Sequence, residues 1–321
     1  MHTRPFGKTG LEITPIGLGA WAIGGGEWDF GWGSQDDQES IDTIHRALDL
    51  GINWIDTAAV YGLGHSEEIV GKAIKGREKP YIFTKCSLIW NEKREVSNSL
   101  KADSLRREVE ASLKRLDIDA IDLYQIHWPN PDPEVEEGWS TLAKLKQEGK
   151  VRHIGVSNFN VEQLRRAAKI APVETLQPPY SIITPDVEKE ILPYCEQHNI
   201  GVIVYSPMSS GLLTGRMTKD RVEKMPDDDW RKKDGRFQGE HLDRNLGLAN
   251  LLTEIGYPHN VTAGVAAVAW TLRNPAVTAA IVGARRPDQV EDMIAASEFR
   301  LSESEIEDIN KFLADHPAES K

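Results

Sequence analysis

The sequence predicts a closed barrel of eight parallel strands, each followed by a helix, which is the (β/α)8 or TIM-barrel fold of the α/β class. Short apolar runs alternate with longer amphipathic segments along most of the 321 residues. Several of the short runs are almost wholly apolar, which is typical of parallel strands that are buried on both faces. Eight such strand–helix units favour a closed barrel over an open doubly wound sheet, which is the alternative fold.

The eight predicted strands are separated by segments long enough to hold a helix. The strands are Pro15–Ala20, Asn53–Ala58, Tyr81–Cys86, Ala120–Trp128, Val151–Asn158, Thr175–Tyr180, Gly201–Pro207 and Thr278–Ala284. The helices between and after them are Gln38–Leu50, Glu67–Ile74, Ser104–Leu116, Glu134–Gln147, Val161–Ala168, Pro185–His198, Ala263–Arg273 and Pro287–Ala296. Each helix has apolar residues at the spacing of one helical face.

Three segments lie outside this repeat. Thr3–Thr14 is expected to form a β-hairpin that closes the bottom of the barrel. Met208–Asn260 is long, charged and weakly periodic, so we expect a functional loop there, and extra helices after strands 7 and 8. Ser302–Ala314 has the pattern of a last amphipathic helix. Since no linker or low-complexity segment interrupts the pattern, residues 1–321 are expected to form a single barrel domain.

Composition and charge exclude several classes of protein. The chain has 38 Lys and Arg against 50 Asp and Glu, a net charge of -12, which argues against general nucleic-acid binding. It has no apolar run of about 18 residues, so no transmembrane helix and no membrane partner are predicted. The two cysteines, Cys86 and Cys195, are expected to be reduced, and without a signal peptide the predicted location is cytoplasmic. No oligomer-forming pattern is present, so a monomer or weak oligomer is expected.

Four polar side chains lie at or just after the ends of predicted strands. They are Asp56, Tyr61, Lys85 and His127. Each alone has an ordinary interpretation, such as a helix cap, a turn aromatic, a rim charge or a packed histidine. In a barrel, however, the C-terminal strand ends meet at one mouth, where reacting groups lie.

Together these side chains could assist the reduction of a carbonyl group by a hydride donor. Hydride addition needs a proton for the developing alkoxide, and a free Tyr has a pKa of about 10. A Lys cation beside Tyr61 is expected to lower that pKa, a carboxylate would keep the Lys charged, and a neutral His could donate a hydrogen bond to the carbonyl oxygen.

The chain resembles the aldo-keto reductase family in several motifs that are spread from about Gly7 to Leu313. They are Ile55-Asp-Thr-Ala-Ala-Val-Tyr-Gly with His65-Ser-Glu, Ile82-Phe-Thr-Lys, Asp122-Leu-Tyr-Gln-Ile-His-Trp, Lys150-Val-Arg-His-Ile-Gly-Val-Ser-Asn-Phe, Tyr205-Ser-Pro and Ile281-Val-Gly-Ala-Arg-Arg. The resemblance implies reduction of an aldehyde or ketone to an alcohol with NAD(P)H. It also implies that Tyr61 is the general acid, assisted by Lys85, Asp56 and His127.

The resemblance also implies a cofactor site, in which Tyr205 stacks on the nicotinamide and Gln177 binds its carboxamide. The full set of predicted cofactor contacts is Gly19, Ala20, Trp21, Asp56, Ser157, Asn158, Gln177, Tyr205, Ser206, Pro207, Met208, Ser209, Gly211, Leu212, Gly283, Arg285, Arg286, Gln289 and Asp292.

The adenine end of that site departs from the family pattern. Many members carry Lys-Ser, then Arg, then Glu-Asn where this chain has Gly283-Ala284, Gln289 and Asp292-Met293. Either Arg285 or Arg286 could still bind a 2′-phosphate. NADP(H) is therefore favoured, and NAD(H) is possible.

Aromatic residues are expected to wall the pocket for a small carbonyl or alcohol substrate. The predicted substrate-pocket residues are Trp21, Trp28, Trp32, Tyr61, Trp90, His127 and Trp128. The long segment after strand 7 is expected to contribute as well, because the chain ends soon after its last helix.

The sequence also contains features that are typical of other functions. Gly17-Leu-Gly-Ala-Trp-Ala fits a dinucleotide fingerprint, but Gly24-Gly-Gly follows where that motif needs a helix. No His–carboxylate cluster falls at the strand ends, so no metal site is predicted. Two alternatives stay open: an NAD-dependent sugar or polyol dehydrogenase, and a redox-sensing, cofactor-binding regulatory subunit with slow turnover.

Overall fold

Eight parallel strands close into a barrel in the computed structural model, which describes residues 1–26, 28–227 and 229–317. In chain order the strands are β1 (Arg4–Pro5), β2 (Glu12–Ile13), β3 (Ile16–Gly19), β4 (Trp54–Asp56), β5 (Tyr81–Cys86), β6 (Leu88–Trp90), β7 (Val96–Asn98), β8 (Ile121–Ile126), β9 (Val151–Ser157), β10 (Thr175–Gln177), β11 (Gly201–Val204) and β12 (Ala279–Gly283). The order around the barrel is β3-β4-β5-β8-β9-β10-β11-β12, and β12 pairs with β3 to close it. The predicted fold and the positions of its eight barrel strands are therefore confirmed.

Helices cover the outside of the barrel. They are α1 (Asp37–Asp49), α2 (His65–Ile74), α3 (Ala102–Leu116), α4 (Val135–Gln147), α5 (Val161–Ala168), α6 (Ile191–His198), α7 (Lys219–Glu223), α8 (Gly239–Gly256), α9 (Ala263–Leu272), α10 (Pro287–Ile294) and α11 (Glu303–Asp315). Several begin at side-chain caps, such as the capping box in which Asn160 and Gln163 each bond the other's backbone N–H. The single helix predicted over Pro185–His198 is wrong in extent, because a short 3-10 turn at Asp186–Glu188 precedes α6.

The N-terminal hairpin of β1 and β2 closes the bottom of the barrel, as predicted. Phe6 and Ile13 are fully buried and pack against Trp54 and Phe83 from the barrel interior. The Phe6 and Phe83 rings stack at 5.8 Å. A Cβ at Gly201 would lie 2.4 Å from the Phe6 ring, so only glycine lets the hairpin approach β11 this closely.

The long segment after β11 is more ordered than the sequence indicated. The prediction of extra helices is confirmed by α7 and by α8, an 18-residue helix that packs against α9. The interpretation of Met208–Asn260 as one weakly periodic loop is therefore wrong for its second half. Leu248 and Leu252 of α8 are fully buried, and the highly charged first half of the segment obscured this apolar face.

A second difference follows β5, where β6 and β7 form an antiparallel hairpin that the sequence did not predict. Its strands have three residues each, too short for a periodicity signal. No helix in the described ranges is long and apolar enough to cross a membrane. The same ranges hold no cluster of three or more candidate metal-ligating side chains, and Cys86 and Cys195 are buried free thiols.

Candidate active site

A cavity of about 770 Å³ opens at the C-terminal ends of the barrel strands. Residues at the ends of β3, β4, β9, β10 and β12 line it, namely Gly19, Asp56, Ser157, Gln177 and Gly283. The remaining walls come from the loops that follow the strands. The position is the one at which barrels of this type place their sites.

A buried ion pair lies at the floor of this cavity. The Nζ atom of Lys85 is 2.5 Å from Oδ1 of Asp56 and also donates to the Thr57 carbonyl at 2.9 Å. The other carboxylate oxygen, Oδ2, accepts from Nε2 of Gln177 at 2.8 Å. Both charged side chains are almost fully buried, so each depends on the other for its charge.

The Tyr61 hydroxyl lies above this pair. Its oxygen is 3.4 Å from the Lys85 ammonium, and its ring is 5.7 Å from the His127 imidazole in an edge-to-face arrangement. The loop that carries Tyr61 packs against the loop after β3, since a Cβ at Gly62 would lie 2.2 Å from the Gly24 carbonyl oxygen. The structure thus brings the four predicted side chains together at one point.

Burial decides the protonation of these groups. It raises the pKa of Tyr61 well above its usual 10, and the Asp56 carboxylate raises it further. The lowered phenol pKa that the sequence predicted is not found, because burial and the Asp56 charge outweigh the stabilisation that the nearby ammonium provides. The phenol stays protonated throughout the neutral range, which is the state that a proton donor needs.

The His127 imidazole is neutral. Burial, and then the charge of Lys85, lower its pKa well below 6.5. A neutral imidazole can donate a hydrogen bond from its ring N–H without giving up the proton. This agrees with the neutral histidine expected from the sequence.

Hydrogen bonds link the predicted nicotinamide contacts to one another. Asn158 donates from Nδ2 to the His127 carbonyl at 2.9 Å and accepts from the Tyr205 hydroxyl at 2.8 Å. The Ser157 hydroxyl donates to the Gln177 carbonyl at 2.8 Å. Because protein atoms bond both ends of the Asn158 amide, this residue fixes His127 and Tyr205 relative to each other.

Most of the predicted cofactor contacts line the cavity, but two do not. Those that line it are Gly19, Ala20, Trp21, Asp56, Ser157, Asn158, Gln177, Tyr205, Ser206, Pro207, Met208, Gly211, Gly283, Arg285, Arg286, Gln289 and Asp292. Ser209 instead donates to the Ser181 hydroxyl at 2.8 Å, and Leu212 is fully buried against Met217 and Phe237. Ser206, Ser209 and Ser210 have positive φ, so the chain changes direction repeatedly in this segment and the cavity is lined by only part of it.

The Arg285 guanidinium donates hydrogen bonds to groups of the protein itself. It donates to Gln35 Oε1 at 2.6 Å, to the Trp32 carbonyl at 3.2 Å and to the Ser34 carbonyl. These bonds use all three of its nitrogens. Arg285 therefore fastens the loop after β3 to the end of β12, and three of its five N–H donors are used in doing so.

Other arginines line the same end of the cavity, and sequence reasoning missed them. They are Arg216, Arg221 and Arg231. Arg216 contacts Asp292 of α10 at 2.5 Å, and Arg221 donates to the Arg216 carbonyl at 3.2 Å. All three fall in the segment after β11, whose many arginines the sequence displays but whose fold it does not.

Aromatic side chains form another wall of the cavity. All of the tryptophans predicted for the substrate pocket line it except Trp90. Trp21 stacks with Tyr61 at 6.2 Å and with Trp230 at 5.5 Å, and Trp32 meets both tryptophans edge-on. Trp230, which was not predicted, stacks on Trp21 but borders a smaller neighbouring cavity.

The remaining predicted aromatic residues divide between the cavity and the surface. Trp28 and Trp128 line the cavity. Trp90 does not: it lies in the hairpin after β5, and its ring is 5.8 Å from the Arg115 guanidinium. Its place in the substrate pocket is therefore a wrong prediction.

The residues of this cavity fit a dinucleotide cofactor. The groove has arginines at one end and the Tyr61–Lys85–His127 group at the other. The turn from Ser206 to Gly211, which has positive φ at both of these residues, also lines the cavity, and turns of this kind can bind phosphate oxygens.

Comparison with known proteins supports this description. The model of the Aldo/keto reductase family matches residues 15–314. Aldo-keto reductase YhdN of Bacillus subtilis (strain 168) is 40% identical over 317 residues, which is 98% of this chain and 94% of that protein. The NADH-specific methylglyoxal reductase of Escherichia coli (strain K12) is 37% identical over 319 residues, covering 95% of this chain and 96% of that protein. The solved structure of the glycerol dehydrogenase AKR11B4 from Gluconobacter oxydans has a TM-score of 0.89 and 39% identity, covering 99% of this chain and 97% of that one.

Fold and site together define an α/β-barrel oxidoreductase of the carbonyl-reducing class. With the family model matched over nearly the whole chain, the protein belongs to the aldo-keto reductase family.

Proposed function

We propose that this protein reduces an aldehyde or ketone to an alcohol with NADPH, and that Tyr61 is its general acid. The observation that carries the proposal is the position of a protonated phenol between a buried ammonium and a neutral imidazole. When bound, the reduced nicotinamide supplies the hydride. The chain's own residues supply the proton, the orientation of the carbonyl group and the exclusion of water.

Tyr61 gives its phenolic proton to the carbonyl oxygen as negative charge develops there. Lys85, 3.4 Å away, stabilises the phenolate that remains, and Asp56 keeps Lys85 charged. His127 donates a second hydrogen bond to the same oxygen and thereby fixes the orientation of the substrate. The same groups run in reverse when an alcohol is oxidised, with the phenolate as base.

Gln177 is the residue we assign to the nicotinamide carboxamide. Its Nε2 is committed to Asp56, so its Oε1 is left to accept from the carboxamide N–H. Tyr205 offers a ring for stacking against the nicotinamide. Backbone N–H groups of the turn from Ser206 to Gly211 are suited to the pyrophosphate.

The arginines around α7 and α10 support NADPH over NADH. Arg285 is held by the loop after β3, so Arg221 and Arg286 are the residues we assign to the 2′-phosphate. Arg286 pairs with the exposed Asp288 at 3.0 Å, a contact that a doubly charged phosphate can replace. One relative is an NADH-specific reductase, so both cofactors must be compared directly.

The decisive experiment is NADPH oxidation with an aromatic aldehyde, by wild type and by Tyr61→Phe. General acid catalysis contributes about 10²- to 10⁴-fold, so we expect a loss of that size in kcat with an unchanged affinity for NADP+. Tight NADP+ binding by wild type without turnover across a panel of carbonyl compounds would refute the enzyme and favour a sensor.

A second candidate is oxidation of a polyol by the same site. It is favoured by the similarity to a glycerol dehydrogenase. Ratios of kcat/KM for aldehyde reduction and glycerol oxidation, measured at one pH with each cofactor, decide between the two directions.

A further inference from the structure

Charge is distributed unevenly around the cavity. Its cationic lining residues all belong to the segments that follow β11 and β12, and they are Arg216, Arg221, Arg231, Arg285 and Arg286. In the order of strands around the barrel, β11 and β12 lie on one side, while β4, β5 and β8 lie on the other. The cationic side chains that line the cavity therefore come from one side of the barrel.

The other end is aromatic and apolar. Around Tyr61 the lining consists of Trp28, Phe30, Val60, Leu88, Val96 and Trp128, with the neutral amides of Asn98 and Asn130. Among the described residues of this end, Asp29 and Asp56 are the charged side chains that line the cavity. Asp56 is buried and paired with Lys85, whereas Asp29 is exposed and adds negative charge.

Neither Lys85 nor Arg231, the cations nearest to this end of the cavity, can pair with an anionic substrate. The side chain of Lys85 is fully buried, paired with Asp56 and covered by Tyr61. Arg231 lies over the Trp32 ring at 4.3 Å, and its Nε and Nη2 atoms donate to Asp229 at 3.0 and 2.6 Å. That pair carries no net charge.

We infer that the substrate of this site is an uncharged or cationic carbonyl compound with an apolar or aromatic substituent. Carbonyl compounds that carry a carboxylate or phosphate group are disfavoured. Such an anion would lose hydration against the aromatic walls without gaining a cation, and it would lie on the same side as Asp29. The inference rests on the proposed reductase function and adds the class of substrate to it.

The test is a pair of benzaldehydes with equal reactivity and different charge. A 2-carboxyethyl group at the para position is compared with the corresponding primary amide, since two methylene groups insulate the aldehyde from the difference. We expect kcat/KM for the amide to exceed that for the carboxylate at least tenfold at low salt. The ratio should shrink at 1 M salt, because exposed charges are then screened. The quaternary trimethylammonium analogue should be reduced at least as well as the amide.

Two variants provide a matched control. Asn98→Lys adds a cation at the cavity rim and should raise the ratio of kcat/KM for the carboxylate to kcat/KM for the amide about fivefold or more. Ser97→Lys adds the same charge one residue away, on the opposite face of the same strand, and should leave this ratio at its wild-type value.

The outcomes separate the two proposals. Failure of wild type to reduce the amide or any other carbonyl compound would refute the reductase. Equal kcat/KM for amide and carboxylate in an active enzyme, or preference for the carboxylate, would overturn the substrate inference alone.

Discussion

The side-chain amide of Gln177 donates to Oδ2 of Asp56 at 2.8 Å, while Lys85 bonds the other oxygen of the same carboxylate. Gln177 is the last residue of β10, and Asp56 is the last residue of β4, across the barrel from it. This bond connects the residue that we assign to the nicotinamide with the ion pair that supports the proton donor. One carboxylate therefore holds both the residue that we assign to the nicotinamide and the ammonium beneath the proton donor.

Replacement of Gln177 is expected to affect both binding and turnover. Gln177→Met keeps the length of the side chain but removes its donor and its acceptor. A lost hydrogen bond is worth about 0.5–1.5 kcal/mol, or up to about 3 kcal/mol when a charged group is involved. We expect the Kd for NADP+, measured by quenching of tryptophan fluorescence, to rise about 5- to 20-fold, and kcat to fall as well. Gln177→Glu sets a second carboxylate beside Asp56 and should be worse in both measures. Unchanged Kd and kcat in Gln177→Met would contradict the assignment.

Lys85→Met should separate catalysis from stability. Without the ammonium, nothing stabilises the phenolate of Tyr61, so we expect kcat to fall by about 10²-fold or more while NADP+ affinity changes little. The variant also leaves Asp56 buried and unpaired, which costs about 3–5 kcal/mol of stability for a broken buried pair.

The double variant Lys85→Met with Asp56→Leu provides the control. It removes the unpaired charge, so urea unfolding should show that most of the lost stability returns. Its kcat should stay as low as that of Lys85→Met. Recovery of turnover together with stability would mean that Lys85 acts through folding alone.

The sequence predicted the barrel because each strand–helix unit repeats the same local pattern. It also predicted the position of Tyr61, Lys85 and His127, because parallel strands bring their C-terminal ends together. The sequence could not reveal the hydrogen bonds that Arg285 donates, since their acceptors Gln35 and Ser34 lie 250 and 251 residues away along the chain.

The orientations of two tryptophans also could not be predicted from sequence patterns. Trp230 enters the aromatic wall from the irregular segment before α8, whose course no periodicity specifies. Trp90 leaves the pocket because β6 and β7 turn it toward Arg115. In both cases tertiary packing determines which way a tryptophan faces.

Cofactor preference is expected to depend on Arg221 and Arg286 and not on Arg285. The double variant Arg221→Ala with Arg286→Ala should raise KM for NADPH about 10- to 100-fold and leave KM for NADH nearly unchanged, because only the 2′-phosphate meets these side chains. Arg285→Ala should weaken both cofactors by the same factor, since it frees the loop that holds Trp32 and Ser34. A selective loss of NADPH in Arg285→Ala alone would reverse this assignment.

Glu108 is expected to cost stability at neutral pH. Burial raises its pKa from 4.5 to about 6, although it accepts hydrogen bonds from Ser104 and the Ser87 backbone. Between pH 4.5 and 6 the folded protein therefore binds more protons than the unfolded chain, so stability falls as pH rises through this window. Above pH 6 the cost is complete and is about 2 kcal/mol, the free energy that corresponds to a pKa raised from 4.5 to about 6.

Glu108→Gln removes the charge and retains both contacts: its oxygen accepts from the Ser87 N–H, and its amide nitrogen donates to the Ser104 hydroxyl. We expect the free energy of unfolding in urea to exceed that of wild type by about 1–2 kcal/mol at pH 8, and the difference to vanish toward pH 4.5. Glu174→Gln serves as the control of opposite sign. Burial raises the pKa of Glu174, but hydrogen bonds from His153 and Lys146 lower it by more, so the net change in its pKa is downward. That variant should be less stable than wild type at pH 8, and the difference should shrink as the pH falls. A Glu108→Gln protein that is less stable than wild type at pH 8 would show that the ionised carboxylate strengthens its hydrogen bonds by more than its burial costs.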